Sequence, residues 1–163
     1  GVAPPSTPTP TTTPATLSHR SFAPLARFVP LPSCFPGPNE SEPNNSAASA
    51  NGPLCPGVVF RGLSDDLWDM YYLDTPRAGD ITVALTGHFG DGMQLSLYTG
   101  TVGGSPYQQD TEDGDGLQVA LRGAPPGRYY VVVYTAKPSP AETRHYSLHI
   151  SFPQGSMAGA AGR

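Results

Sequence analysis

From Val58 onward, apolar and polar positions alternate in short runs separated by glycine- and proline-rich breaks. In residues 80–86, "DITVALT", Ile81, Val83 and Leu85 fall on one face and Thr82, Ala84 and Thr86 on the other. A period of two predicts a strand with one buried face. "VVFRG" at 58–62, "DMYYLDT" at 69–75, "MQLSLYT" at 93–99, "LQVAL" at 117–121 and "YSLHISF" at 146–152 read the same way. "RYYVVVYT" at 128–135 is apolar on both faces, as a central strand would be. The breaks, Pro-Arg-Ala-Gly, Gly-Gly-Ser-Pro and Ala-Pro-Pro-Gly among them, carry turn chemistry. Seven short strands at this spacing, with no helix required, predict an all-β, antiparallel, jelly-roll-like sandwich of about seven to eight strands.

The region before the strands has different physics. Residues 1–38 contain no acidic residue and are dense in proline, threonine and serine. "TPTPTTTP" at 7–14 cannot enter a helix or a central strand, because proline lacks the donor and restricts its predecessor. Polyproline II is expected there, and such tracts suit linkers or O-glycosylated stalks. Phe22, Leu25, Phe28 and Leu31 then recur every three residues, the polyproline II period. They predict a partner-binding ribbon, on the chain's own body or on a neighbour. The organisation read from the sequence is an extended tail at 1–38, a sandwich at 39–153 and a short C-terminal tail at 154–163.

Charge and cysteine narrow the class. The 163-residue chain has a formal net charge of −4, which argues against nucleic-acid binding. No run of about 18 apolar residues is present to span a membrane as a helix. A start at Gly1 without methionine reads as a processed or trimmed product. Cys34 and Cys55 bracket an acidic segment and are read as a disulfide, which implies an oxidising, extracellular setting. The alternative is two unpaired core residues.

"NESEPNNS" at 39–46 gathers oxygen ligands in a chain otherwise poor in charge. Glu40, Glu42, Asn44 and Asn45 offer carboxylate and amide oxygens. In an extended segment Glu40, Glu42 and Asn44 share a face. A second group, Asp65, Asp66 and Asp69, sits at a strand entry. Hard cations such as calcium take six to eight oxygens, and neither group contains the Cys or His that zinc prefers.

With these motifs in place, the chain from about Glu40 to Phe152 resembles the bacterial pre-peptidase C-terminal domain family. The carriers are E-x-E-P-N-[DN] before the first strand, D-x-x-D-x-[YF] at a strand entry and P-G-x-Y-x-[VL]-x-[VI] near the end. The family comprises small jelly-roll sandwiches on secreted proteases, including the collagen-binding domains of clostridial collagenases. The resemblance implies calcium held between the N-terminal segment and the body, by Glu40, Glu42, Asn44 and Asn45 with Asp66 and Asp69. Asn45 stands where calcium-binding members often have Asp, which removes a charge from the site.

Other signals lead elsewhere. Asn39 and Asn44 both open N-glycosylation patterns; calcium is preferred at Asn44, and Asn39 is left open. "DTEDGDG" at 110–116 fails the EF-hand spacing, with Leu121 at the twelfth position, and reads as a hairpin loop. His145 and His149 are expected to face outward on a strand. Trp68, Tyr71, Tyr72, Tyr129, Tyr130 and Tyr134 are expected mostly to fill the core, with a polymer-gripping face as the alternative. No nucleophile motif or phosphate loop is present, so no enzyme is expected. The leading functional expectation is a non-enzymatic extracellular structural subunit that assembles into a homo-oligomeric filament or surface layer through its tail. The alternative is a calcium-stabilised module that binds collagen or polysaccharide for a secreted protease or adhesin. A chaperone-like pro-domain ranks below both.

Overall fold

The computed structural model describes residues 1, 34–35, 37–87, 92–111, 116–138 and 145–154. The chain divides into Gly1–Pro30 and Leu31–Arg163. The predicted partner-binding residues Phe22, Leu25, Phe28 and Leu31 lie outside the described residues.

Eight strands are present: β1 (Val59–Leu63), β2 (Trp68–Thr75), β3 (Gly79–Gly87), β4 (Met93–Thr99), β5 (Gln108–Thr111), β6 (Leu117–Ala124), β7 (Gly127–Thr135) and β8 (His145–Ser151). They form two four-stranded antiparallel sheets, ordered β1-β8-β3-β6 and β2-β7-β4-β5. Strand 1 pairs with 8, 2 with 7, 3 with 6 and 4 with 5. This nesting is a jelly roll. Strand β7 is central, between β2 and β4, as its two apolar faces require.

The period-two faces meet in one core. Phe60, Tyr71, Leu73, Ile81, Val83, Leu85, Met93, Leu95, Leu97, Leu117, Val119, Val131, Val133, Tyr146, Leu148 and Ile150 are buried between the sheets. His145 and His149 face outward as expected, and His149 Nε2 lies 3.1 Å from Thr86 Oγ1. Strand β5, "QQDT", has no apolar face and was not expected. It exists because its backbone pairs with β4 over Gln94–Leu97. β5 and β6 belong to different sheets and do not pair as a hairpin, and residues 112–115 of the expected hairpin loop lie outside the described residues.

The segment before β1 closes one side of the sandwich. Arg61 N–H donates to Pro38 O and Glu40 N–H to Arg61 O, at 2.6 and 2.9 Å, on the free edge of β1. Further on, Asn51 N–H donates to Met70 O and Tyr72 N–H to Asn51 O, both at 2.9 Å, on the free edge of β2. One segment thus satisfies two sheet edges that would otherwise invite pairing with another chain. Its ends are fixed by the Cys34–Cys55 disulfide, with Cα atoms 5.6 Å apart, and by Leu54, which is buried in the core. Asn51 folds the segment on itself: its Oδ1 accepts from Ser41 N–H at 2.7 Å and its Nδ2 donates to Ser41 O at 2.9 Å.

Gly62 makes room beneath β1. A Cβ there would fall 2.2 Å from Tyr146 Cζ and 2.3 Å from its hydroxyl oxygen. The Gly62→Ala variant is expected to lose about 1–3 kcal/mol of stability by overpacking, read as a lower denaturation midpoint. An unchanged midpoint would show that Tyr146 can move aside. Reducing the disulfide is expected to cost a further ~3 kcal/mol for a loop of this length, measured as a melting-temperature drop with reductant.

Candidate metal centre

The edge-closing segment and the β1–β2 turn bring the carboxylates together. Glu40, Glu42 and Asp65 form one group, and Glu42, Asp66 and Asp69 a second; within each, one oxygen per residue lies within 4.8 Å of the others. Glu42 belongs to both. Asp65 and Asp66 sit in the turn between β1 and β2, and Asp66 Oδ1 accepts from Trp68 N–H at 3.0 Å. Asp69 is the second residue of β2, on the same inward face as Tyr71 and Leu73. Glu42 Oε2 accepts from Asn44 N–H at 2.8 Å.

The predicted residues separate into those on this cluster and one on the opposite side. Glu40, Glu42, Asp66 and Asp69 are divided between the two groups, which share Glu42. Asn44 is fully buried against them, with Nδ2 donating to Glu40 Oε2 at 3.2 Å. That burial leaves no room for a glycan on Asn44, whereas Asn39 is exposed. Asn45, one residue on, is exposed and lines a groove on the outer face of the second sheet. Asp65, which the sequence groups with Asp66 and Asp69 but the family motif leaves out, lies with Glu40 and Glu42. Its signal is its place in the acidic run, which alone does not say which of the two adjacent aspartates reaches Glu40.

Two carboxylates are linked through phenols beneath the segment. Tyr71 donates to Glu40 Oε2 at 2.8 Å and Tyr146 donates to Asp69 Oδ2 at 2.6 Å, and the two phenol oxygens are 2.8 Å apart. Three short O···O contacts need three protons, and two phenols supply two. With both phenols donating to carboxylates, the contact between the phenol oxygens lacks a hydrogen; a proton on Glu40 or Asp69, donated to its phenol, frees that phenol to donate to the other. The electrostatics agree. Burial pushes Asp69 from its ordinary 3.8 up to about 9, helped by the nearby charges of Glu40, Asp66 and Glu42 and opposed by the Tyr146 hydrogen bond. Burial raises Glu40 from 4.5 to about 7, with the Glu42 charge adding to it and hydrogen bonds from Tyr71, the Leu63 N–H and Asn44 opposing it. Glu42 is raised by burial and by the charges of Asp66 and Asp65.

A divalent cation would offset the same buried negative charge, though it supplies no hydrogen to the contact between the phenols. Every donor in the two groups is oxygen, which suits a hard ion. Among the described residues, the buried Asn44 Oδ1, Asp65 Oδ1 and Asp69 Oδ1 have no hydrogen-bond partner. Buried polar atoms are rarely left so, and ligation would satisfy all three.

The outer face of the second sheet is the other feature. Trp68, Met70, Tyr72 and Asp74 of β2 alternate outward, opposite Tyr134, Val132, Tyr130 and Arg128 of β7, with Tyr98 of β4 beyond Tyr130. The aromatic residues were expected mostly in the core. Tyr71 and Tyr129 are there, but Trp68, Tyr72, Tyr130 and Tyr134 are on the outside. The reason is register: in paired runs such as "YY", period two sends one ring to each side. Trp68 packs on Tyr134 with centroids 4.6 Å apart. Arg128 lies 4.1 Å over the Tyr72 ring and pairs with Asp74 through two 2.8 Å hydrogen bonds. On this face a shallow groove of about 240 Å³ is lined by Asn45, Trp68, Met70, Tyr98, Val102, Gly103 and Val132.

No family model matches the chain. Over 100 residues, 60% of its length, it is 32% identical to Collagenase ColA of Clostridium perfringens (strain 13 / Type A). The match spans 9% of that protein. Among solved structures, the pre-peptidase C-terminal domain of a collagenase from Bacillus anthracis superposes with a TM-score of 0.47 at 21% identity, over 57% of this chain and 87% of that one. PliG of Aeromonas hydrophila, a periplasmic inhibitor of g-type lysozyme, gives 0.40 at 19%, over 57% and 82%. The sequence likeness to a stretch of a collagenase is in keeping with the resemblance that the motifs carry.

Because Glu40 and Asp69 hold protons to higher pH folded than unfolded, the cation-free folded chain binds more protons across the window from about pH 4 to about pH 9. Its stability therefore falls as pH rises through that window. In chelator, the melting temperature is expected to drop by at least about 5 °C between pH 5 and pH 9, roughly 1 kcal/mol for a domain of this size. A flat profile in chelator would show that these carboxyls ionise freely.

Proposed function

We propose that this chain is a non-catalytic, calcium-stabilised module of a secreted protein, and that it holds an extended extracellular polymer, collagen or polysaccharide, on the outer face of its second sheet. The observation that carries the reading is the set of outward aromatic residues on β2, β7 and β4, of which Trp68 and Tyr98 line an uncharged groove. Aromatic rings exposed on a rigid sheet offer large contact area at little conformational cost. The identity to a stretch of a collagenase supports a place beside a secreted protease, and the disulfide supports an oxidising compartment. Glu40, Glu42, Asn44, Asp66 and Asp69 would hold the calcium. The ion would neutralise buried charge and tie the edge-closing segment to β2. The filament reading rests on the tail ribbon, outside the described residues, and no observation here favours it.

The test is depletion from solution by insoluble collagen, chitin and cellulose. Wild-type protein is expected to bind at least one of them. Replacing Trp68 and Tyr134 by Ala should weaken that binding about ten-fold or more, with the calcium-dependent melting temperature kept within a few degrees. Retention of wild type by none of the polymers, or undiminished binding by the double variant, would overturn the reading. The calcium arm is separate: Asp69→Asn should lower the melting temperature in calcium and not in chelator.

A further inference from the structure

The turn between β1 and β2 contains two adjacent aspartates that do different work. Asp66 caps the turn by accepting from Trp68 N–H at 3.0 Å. Asp65 instead places a carboxylate oxygen within 4.8 Å of those of Glu40 and Glu42, and its buried Oδ1 has no hydrogen-bond partner among the described residues. Three carboxylates this close repel one another unless a positive charge lies among them. Two more buried side chains at the cluster make the same demand. Asn44, fully buried and tied through Nδ2 to Glu40, has an unpartnered Oδ1, and so does Asp69, which is 1% exposed.

The neighbouring position 45 does not supply a charge. Asn45 is neutral, exposed and turned to the groove beside Trp68. We propose that Asp65 is a cation ligand on the Glu40–Glu42 side of the cluster, supplying from the β1–β2 turn the carboxylate that the edge-closing segment lacks at Asn45. This rests on the calcium reading above. It adds to that reading a ligand outside the motif residues. It also makes the β1–β2 turn present two successive carboxylates to the cluster, Asp65 to Glu40 and Glu42 and Asp66 to Glu42 and Asp69.

The experiment compares full-length wild type with Asp65→Asn, using calcium and terbium as probes. Tyr71, whose hydroxyl is 2.8 Å from Glu40, sits where it would sensitise terbium luminescence. Asp65→Asn is expected to weaken terbium and calcium binding about ten-fold or more, since affinity at such sites follows ligand charge. In EDTA the same variant should melt at or above the wild-type temperature, because a repelling charge is gone. That inversion separates ligation from a structural role, which would lower the melting temperature in both conditions. Unchanged calcium affinity in Asp65→Asn would overturn the assignment and leave the calcium reading standing. A wild type with no terbium signal and no calcium-dependent melting shift would overturn both.

Discussion

The burial of like charges at one sheet edge organises this domain. Glu40 arrives on the segment before β1, Asp69 on the inward face of β2, and Tyr71 and Tyr146 bridge them from β2 and β8. A carboxylate removed from water is costly unless its charge is neutralised. A proton or a cation can do that, and the two differ in what they leave satisfied. A proton completes the Glu40–Tyr71–Tyr146–Asp69 chain. It does nothing for the partnerless oxygens of Asn44 and Asp65.

Closure of the sandwich depends on the same place. A jelly roll leaves free edges, and here a single segment covers β1 at Pro38–Glu40 and β2 at Asn51–Leu54. Between those two attachments lie Glu40, Glu42 and Asn44. Whatever neutralises the cluster therefore also fastens the edges, while the disulfide behind Leu54 fixes the segment covalently. Asn44 and Asn45 illustrate the geometry. Successive residues point to opposite sides, so one is sealed against the carboxylates and the next forms the wall of the aromatic groove.

The outer aromatic face shows how tertiary structure assigns roles that residue type does not. Tyr71 and Tyr72 are adjacent and chemically identical. One is fully buried and hydrogen-bonded to Glu40; the other is half-exposed under Arg128. Only the register of β2 against β7 decides between them.

The sequence by itself determined the strands with an apolar face, because period-two alternation is a local consequence of pleating. It determined the centrality of β7, apolar on both faces, and the cluster of Glu40, Glu42, Asp66 and Asp69, because the oxygen donors sit in two compact runs. It could not determine β5, whose polar residues pair through backbone alone. Nor could it say which of Asp65 and Asp66 would turn toward Glu40, or that Asn45 would turn away. Those outcomes depend on where the edge-closing segment meets β1 and β2, residues far apart along the chain. Only the folded pairing of the two sheets sets that position, by deciding which backbone groups remain free to receive it.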